Sequence, residues 1–180
     1  MEIRAAQFDL RQAYISGACG ALVSGLVWII AGLTAHFFSF QASIVLFFLG
    51  GMAIVPLSTL LSKLFNDKHI PAKNNPLLPL GLQVTVILFV GLFLAFWLCL
   101  DNPEHFYALM LMIIGARYVP FVTLYGSNIY WALGLTLTAL GFAAFFYIDI
   151  PGSALAIAGG LIEVIFAAIV WRVPRADYES

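Results

Sequence analysis

The sequence predicts an all-α polytopic membrane protein with six transmembrane helices, arranged as three hairpin repeats with both termini on the cytoplasmic side. Three observations support this fold class: an apolar composition, six apolar runs of membrane-spanning length, and a one-sided distribution of Lys and Arg. Of the 180 residues, 63% are hydrophobic and 9% are charged, and the mean hydropathy is +1.01. Since a water-soluble domain carries roughly 25% charged residues, the chain is adapted to lipid.

The six apolar runs each have about 20 residues, the length of a helix that crosses a hydrocarbon core roughly 30 Å thick. Because the runs are continuous rather than alternating, and every backbone polar group in lipid needs a partner within its own segment, they indicate helices. All connections except 65–79 are short, so consecutive spans are expected to form antiparallel hairpins. The predicted spans are Ile15–Phe38, Ala42–Leu64, Leu80–Leu100, Phe106–Tyr125, Ile129–Ile148 and Ser153–Trp171.

The N-terminal stretch Met1–Tyr14 intersperses charged and apolar side chains, a pattern typical of an amphipathic helix at the membrane surface. Its mixed charge, and the length of the apolar run that follows, argue against a cleavable signal peptide. We therefore divide the chain into an interfacial helix (1–14), one six-helix transmembrane domain (15–172) and a cytoplasmic tail (173–180).

The cationic residues predict the orientation, because loops rich in Lys and Arg stay in the cytoplasm. Seven of the eight fall on one side of the predicted spans, whereas the opposite side carries no Lys or Arg but has Asp101, Glu104 and Asp149. The seven are Arg4, Arg11, Lys63, Lys68, Lys73, Arg172 and Arg175. Both termini are therefore expected to be cytoplasmic.

The chain also contains an internal similarity. Gly25–Val55 aligns without a gap with Gly134–Val164, with nine of 31 positions identical. A second match pairs Gly51–Leu60 with Gly115–Leu124 through shared Gly, Val-Pro and Thr-Leu residues. These matches predict three copies of one hairpin around an axis along the membrane normal; convergence of apolar composition is the alternative.

Small residues recur every four positions in the first and last spans, at Gly17, Ala21 and Gly25 and at Gly152, Ala156 and Gly160. Small side chains let helix backbones approach closely in lipid, where dispersion rather than the hydrophobic effect holds helices together. We expect these faces to pack within the monomer, with a homo-oligomer as the alternative.

Two charged residues, Arg117 and Glu163, lie inside the predicted spans. A charge near the bilayer centre costs from about 3 to more than 10 kcal/mol. Both residues are predicted about 15–18 Å below the same surface, from a rise of about 1.5 Å per residue. We therefore expect them to form a buried ion pair, or to approach each other through a polar cavity, with a purely structural pair as the alternative.

The surroundings of Arg117 are also polar, with Tyr118 and Thr123 as further candidate site residues. Pro56 and Pro120 lack an N–H and are expected to kink their helices and free backbone carbonyls for binding. Other aromatic residues nearby belong either to this polar region or to a belt at the membrane interface. They are Tyr125, Tyr130 and Trp131.

No motif for catalysis, phosphate binding or a cofactor is present, and no basic patch indicates nucleic-acid binding. We therefore expect a protein without enzymatic activity, metal or cofactor, whose partners are membrane lipids, an unknown small solute or ion, and a further copy of itself if the small-residue faces build an oligomer. Two functions remain open. One is a transporter or channel-like protein with a midplane Arg-Glu site, and the other a non-catalytic membrane protein that acts through lipids or proteins.

The segments Gly115–Gly126 (GARYVPFVTLYG) and Ile129–Gly134 (IYWALG) resemble a family of small bacterial membrane proteins classed as a domain of unknown function. The stretch from Gln7 to Ala31 and the run Pro56–Leu61 are similar to that family too. The resemblance covers most of the chain. It implies a multi-pass protein of the bacterial cytoplasmic membrane and carries no known activity.

Overall fold

A computed structural model describes residues 1–65 and 70–173, and within these ranges the chain forms seven α-helices and no strand. The helices are α1 (Ile3–Tyr14), α2 (Ala18–Phe37), α3 (Phe40–Phe65), α4 (Leu78–Leu98), α5 (Phe106–Tyr125), α6 (Ile129–Phe146) and α7 (Gly152–Arg172). By length and composition six helical segments are able to cross a membrane, the first of them running from α1 into α2. The predicted all-α, six-span fold class is confirmed.

We use the term basal face for the end of the bundle that carries α1, residues 70–77 and the end of α7. The exposed cations Arg4, Lys63, Lys73 and Arg172 all lie at this face. Lys68, Arg175 and all but the first residue of the predicted 173–180 tail lie outside the described residues. The assignment of the basal face to the cytoplasm stays a prediction.

A sharp turn separates α1 from α2. Ile15 and Ser16 both have φ of 53°, and Gly17 follows with φ of 83°. Left-handed conformations are costly for residues with a Cβ, so the surroundings have to stabilise this turn. Tyr130 does so from α6, because its hydroxyl donates to the Ser16 carbonyl. A Cβ at Gly17 would lie only 2.7 Å from the Tyr125 ring, which explains the glycine.

The turn places α1 across the basal face, and its apolar stripe packs onto protein. Ala6 and Leu10 are fully buried. Asp9 is buried as well, and it accepts hydrogen bonds from the Ala72 backbone N–H (3.0 Å) and the Asn75 side chain (2.8 Å). The amphipathic helix of the prediction is therefore docked onto the segment that leads into α4.

Asn75 is the central residue of this docking. Its amide also donates to the Ala6 carbonyl at 2.9 Å, and its Oδ1 accepts from the Leu77 N–H at 2.9 Å. Asn75→Ala is expected to destabilise the protein by about 2 kcal/mol, because buried partners left unsatisfied cost about 1–3 kcal/mol. Thermal unfolding in detergent measures the loss, with Asn74→Ala at the exposed neighbour as the matched control. Equal effects of the two substitutions would mean that Asn75 does not hold α1.

Three of the four hairpins that the short connections predict are formed, and the fourth is not. α2 packs extensively on α3 and on α7, and α5 packs on α6 and α4, but α6 and α7 touch only slightly. The expected hairpin of the last two spans is thus loose, although their connection is short. The reason is that glycines in α2 and α7 bring the first and last spans into backbone contact.

Two helix crossings have the same construction. Where α2 crosses α7, a Cβ on Gly25 would lie 2.7 Å from the Gly160 carbonyl, and one on Gly160 would lie 2.5 Å from the Gly25 carbonyl. Where α6 crosses α5, a Cβ on Gly134 would lie 2.7 Å from the Gly115 carbonyl. The sequence alignment pairs Gly25 with Gly134, and both Gly160 and Gly115 with Gly51. The small residues of α2 and α7 therefore pack within the monomer.

Candidate functional site

A cavity of about 520 Å³ occupies the basal half of the bundle. Its walls come from α1, the start of α2, the second half of α3, the first half of α4 and the second half of α5. Most of the lining is apolar, with hydroxyl groups from Ser58, Thr59, Ser62 and Thr85. Arg117 is the single charged side chain among the described lining residues.

Arg117 is half-buried, and its guanidinium carbon lies 5.7 Å from the centre of the Phe121 ring. Phe121 is one helical turn closer to the basal face, so the side chain bends towards that face as long cationic side chains do in membranes. The Nε atom is buried and has no hydrogen-bond partner. Within the described residues, then, the contact made by the cation is with an aromatic ring, and no direct ion pair with a carboxylate is formed.

Glu163 lies in the fully buried core between α2, α5 and α7. Its Oε1 accepts a hydrogen bond of 2.7 Å from the Tyr118 hydroxyl. The Ser24 hydroxyl faces the same carboxyl group from α2 but does not reach hydrogen-bonding geometry. We refer to Ser24, Tyr118 and Glu163 as the carboxyl cluster.

Among the described residues Arg117 and Glu163 do not form the predicted ion pair, because Tyr118 and not Arg117 donates to the Glu163 carboxyl group. The alternative, an approach of the two through a polar cavity, stays a prediction. Consecutive residues of an α-helix point about 100° apart. The rotation of α5 that directs Tyr118 at α7 therefore turns Arg117 towards the cavity. Arg117 remains near enough to interact with Glu163 electrostatically. Tyr118 joins the two places, since it lines the cavity and bonds to Glu163.

The polar groups of this region are incompletely satisfied. Four buried side-chain nitrogen or oxygen atoms of the described residues have no hydrogen-bond partner: Arg11 Nε, Ser24 Oγ, Arg117 Nε and Glu163 Oε2. Three of the four belong to the carboxyl cluster or to Arg117 beside it. Buried polar atoms are normally hydrogen-bonded, and two of these three, Ser24 Oγ and Glu163 Oε2, belong to side chains that face each other.

The cavity does not continue to the opposite face. A block of aromatic rings fills that half of the bundle, with Trp28 against Phe47 at 4.8 Å and Phe106 against Tyr107 at 5.2 Å between ring centres. The Ser43 hydroxyl bonds to the Tyr107 hydroxyl inside this block and donates to the Ala31 carbonyl at 2.6 Å. The described structure is therefore closed on the side away from α1.

The other predicted site residues have different positions. Thr123 is on an exposed face of α5, and its carbonyl accepts a hydrogen bond of 2.8 Å from the Gln7 side chain of α1. Pro56 and Pro120 lie inside the continuous helices α3 and α5. Two of the three aromatic residues with open roles are buried and one is exposed. They are Tyr125 (6% exposed), Tyr130 (0%) and Trp131 (45%), of which only Trp131 suits an interface belt.

Ser24 is the site residue that sequence reasoning missed. Serine is common in membrane helices because its small side chain suits close packing, so a single serine in an apolar span gives little signal. Its distance along α2 was the available indication. Ser24 lies nine residues after Ile15, where the first predicted span begins, and Glu163 lies eight residues before Trp171, where the last one ends. At a rise of about 1.5 Å per residue both are about 12–14 Å from the basal end.

Comparison with known proteins assigns the chain to a family that has no known activity. The model of a family described as "Family of unknown function (DUF7010)" matches residues 3–173, nearly the whole chain. No curated protein and no solved structure matches the chain.

Proposed function

Because the chain belongs to the DUF7010 family, whose function is unknown, we propose its role from the site: a small membrane transporter that binds an organic anion in the basal cavity. Arg117 binds the anionic group of the solute. Glu163 is the protonatable partner of the site and is linked to the cavity through Tyr118. The cavity has a volume within the range of about 300–1,000 Å³ that is usual for small-molecule sites.

The observation that carries this proposal is the position of Arg117 in the cavity wall, where its buried Nε atom has no hydrogen-bond partner among the described residues. A cation inside a membrane protein is costly and normally pairs with a carboxylate or carbonyl. Here the Glu163 carboxyl group accepts a hydrogen bond from Tyr118 through Oε1 and, among the described residues, makes none with Arg117. An anion in the cavity completes the coordination of Arg117 by charge-assisted hydrogen bonds, which are the strong ones in a low-dielectric site.

The closed opposite half supports a carrier over an open pore. The aromatic block around Trp28 and Tyr107 separates the cavity from the face away from α1. A protein that exposes its site to one side at a time has to bury it from the other side, whereas a channel has a continuous path. We therefore favour alternating exposure of the site over passive conduction.

A second candidate is a non-catalytic membrane protein that acts through lipids. The exposed cations of the basal face favour it, because juxtamembrane Lys and Arg attract anionic headgroups at about 1 kcal/mol each. Arg4, Lys63 and Lys73 are such residues. The same charge asymmetry supports our proposal that the protein lies in the bacterial cytoplasmic membrane with the basal face inside.

Arg117→Gln is expected to weaken the binding of hexanesulfonate by about tenfold or more, because a hydrogen bond to a charged group contributes about 1.5–3 kcal/mol. Hexanesulfonate is a suitable probe since its permanent charge prevents free passage through lipid. Ligand-dependent thermal stabilisation of the purified protein measures binding, and uptake into proteoliposomes measures transport. Arg172→Gln, at an exposed cation outside the cavity, is the matched control. Binding that is equal in both variants would contradict the proposal.

A further inference from the structure

The internal alignment predicts three equivalent helix crossings, and the described helices form only two of them. By the internal alignment, Gly51 of α3 is the counterpart of Gly160 in α7 and Gly115 in α5. Gly160 and Gly115 each meet a neighbouring helix backbone, but a Cβ on Gly51 would meet nothing within 4 Å. α3 packs on α2, yet α3 and α4 pack on each other hardly at all among the described helices. The ring of helices is therefore open between α3 and α4.

The two helices touch at one end and separate at the other. Phe48 of α3 meets Phe96 of α4 with 6.1 Å between ring centres, on the half away from the basal face. Gly51 comes one helical turn after Phe48 on the same stripe of α3, and Gly81 of α4 also faces open space. The splayed basal part of this pair is named the α3–α4 opening.

The cavity extends into the α3–α4 opening and reaches lipid through it. Three residues that line the cavity are at the same time exposed apolar side chains: Met52 (62%), Val55 (50%) and Leu82 (68%). In a membrane-spanning bundle such exposed side chains face acyl chains rather than water. The walls of the cavity are thus continuous with the lipid-facing surface.

The charged end of the cavity lies at a suitable depth for a headgroup. Phe121, over which the Arg117 guanidinium is stacked, is one turn from Tyr125 at the end of α5. That is about 6 Å along the helix axis, within the roughly 5–10 Å where headgroup and acyl chain meet. An amphiphile dissolved in the basal leaflet therefore brings its anionic group to Arg117 without leaving its usual depth.

We propose that the solute bound by this cavity is a single-chain anionic amphiphile, which enters from the bilayer through the α3–α4 opening while its alkyl chain lies between the two helices. This inference rests on the proposed anion site at Arg117. The cavity volume of about 520 Å³ suits one chain and one small headgroup. Complementary charge selects the head, and the apolar walls select the chain.

Photolabelling of the full-length protein in lipid nanodiscs tests the route. The probe is dodecanesulfonate with a diazirine at the end of its chain, and labelled peptides are identified by mass spectrometry. We expect labels on Met52, Val55 or Leu82, reduced about tenfold or more in Gly51→Trp, whose indole fills the opening. Val45→Trp, at an exposed position on the half of α3 away from the cavity (58% exposed), is the matched control and keeps the labels. Labels that persist in Gly51→Trp, or that fall only elsewhere, overturn the lateral route.

Two further outcomes separate this inference from the proposed function. If ethanesulfonate stabilises the protein in an Arg117-dependent way while the long-chain probe does not label α3 or α4, the anion site stands and the lateral route is wrong. If neither probe depends on Arg117, both proposals are wrong. Disulfide-linked dimers of Gly51→Cys in nanodiscs would show that a second copy fills the opening, which also overturns the route.

Discussion

Gly160→Ala is expected to lower the free energy of unfolding by roughly 2 kcal/mol or more, since overpacking a tight contact costs about 1–3 kcal/mol and occasionally exceeds that range. The added Cβ would lie 2.5 Å from the Gly25 carbonyl and 2.9 Å from the Ile29 backbone nitrogen. Neither atom belongs to a flexible side chain, so the helices have to separate. The lost contact extends along the most extensive helix interface of the described bundle. Titration of folded protein with a denaturing detergent measures the change.

Gly51→Ala is the matched control, because the alignment pairs Gly51 with Gly160 and the space at Gly51 is open. Alanine is favoured over glycine in a helix by about 1 kcal/mol. We therefore expect this variant to be as stable as the natural protein or slightly more stable. Similar losses of stability at the two positions would mean that replacing either glycine is destabilising regardless of its surroundings. That result would contradict the view that backbone contact requires a glycine at position 160.

The six spans were predictable because lipid imposes a simple constraint on sequence. Every span has to be apolar over about 20 residues, and charges are confined to its ends. For α5 the predicted limits, Phe106–Tyr125, are those observed. The contacts between spans were not predictable in the same way. Apolar residues surround each of these helices on all sides, so no amphipathic stripe indicates which face meets protein.

The positions of small residues are the sequence feature that indicates which helix faces pack against each other. They correctly indicated that Gly25 and Gly160 pack within the monomer, but not that they meet each other. The short connection before Gly152 favoured a close pair of α6 and α7 instead. Connection length limits only how far apart two helix ends are, whereas backbone contact along a crossing determines which helices stay together.

The depth of Arg117 and Glu163 in the bundle was predictable from the sequence, but the direction in which their side chains point was not. Counting along two helices gives the height of Arg117 and Glu163, since the rise per residue is constant. It does not give the rotation of each helix about its axis. That rotation decides whether Arg117 or Tyr118 faces Glu163, and in the structure Tyr118 does. The cavity was not predictable either, because it exists only where α3 and α4 fail to pack.

Tyr118→Phe is expected to destabilise the protein by about 1–3 kcal/mol, the cost of an unsatisfied buried acceptor, and by more if that acceptor is charged. The change removes the donor to Glu163 Oε1 and leaves both carboxyl oxygens buried without a bond. Tyr147→Phe is the matched control, because that ring is 78% exposed. If both variants unfold at the same temperature, the hydrogen bond to Glu163 contributes nothing measurable.

Glu163→Gln is expected to separate stability from transport. The glutamine amide oxygen still accepts the hydrogen bond from Tyr118, but the bond is no longer charge-assisted. We therefore expect the free energy of unfolding to change by less than about 1 kcal/mol. Uptake of hexanesulfonate into proteoliposomes is nevertheless expected to fall at least tenfold, because glutamine cannot take up or release a proton. Full uptake in this variant would remove Glu163 from the transport mechanism and leave it a packing role.

The double variant Tyr118→Phe/Glu163→Gln completes the argument, because a double-mutant cycle isolates the energy that two neighbouring groups contribute together. A coupling of about 1 kcal/mol or more in stability, within the usual range for residues in contact, means that the pair holds α5 against α7 at the base of the cavity. Coupling in uptake but not in stability means instead that Tyr118 transmits the protonation state of Glu163 to the anion bound at Arg117. The first outcome makes the carboxyl cluster a structural joint, and the second makes it the part of the site that drives transport.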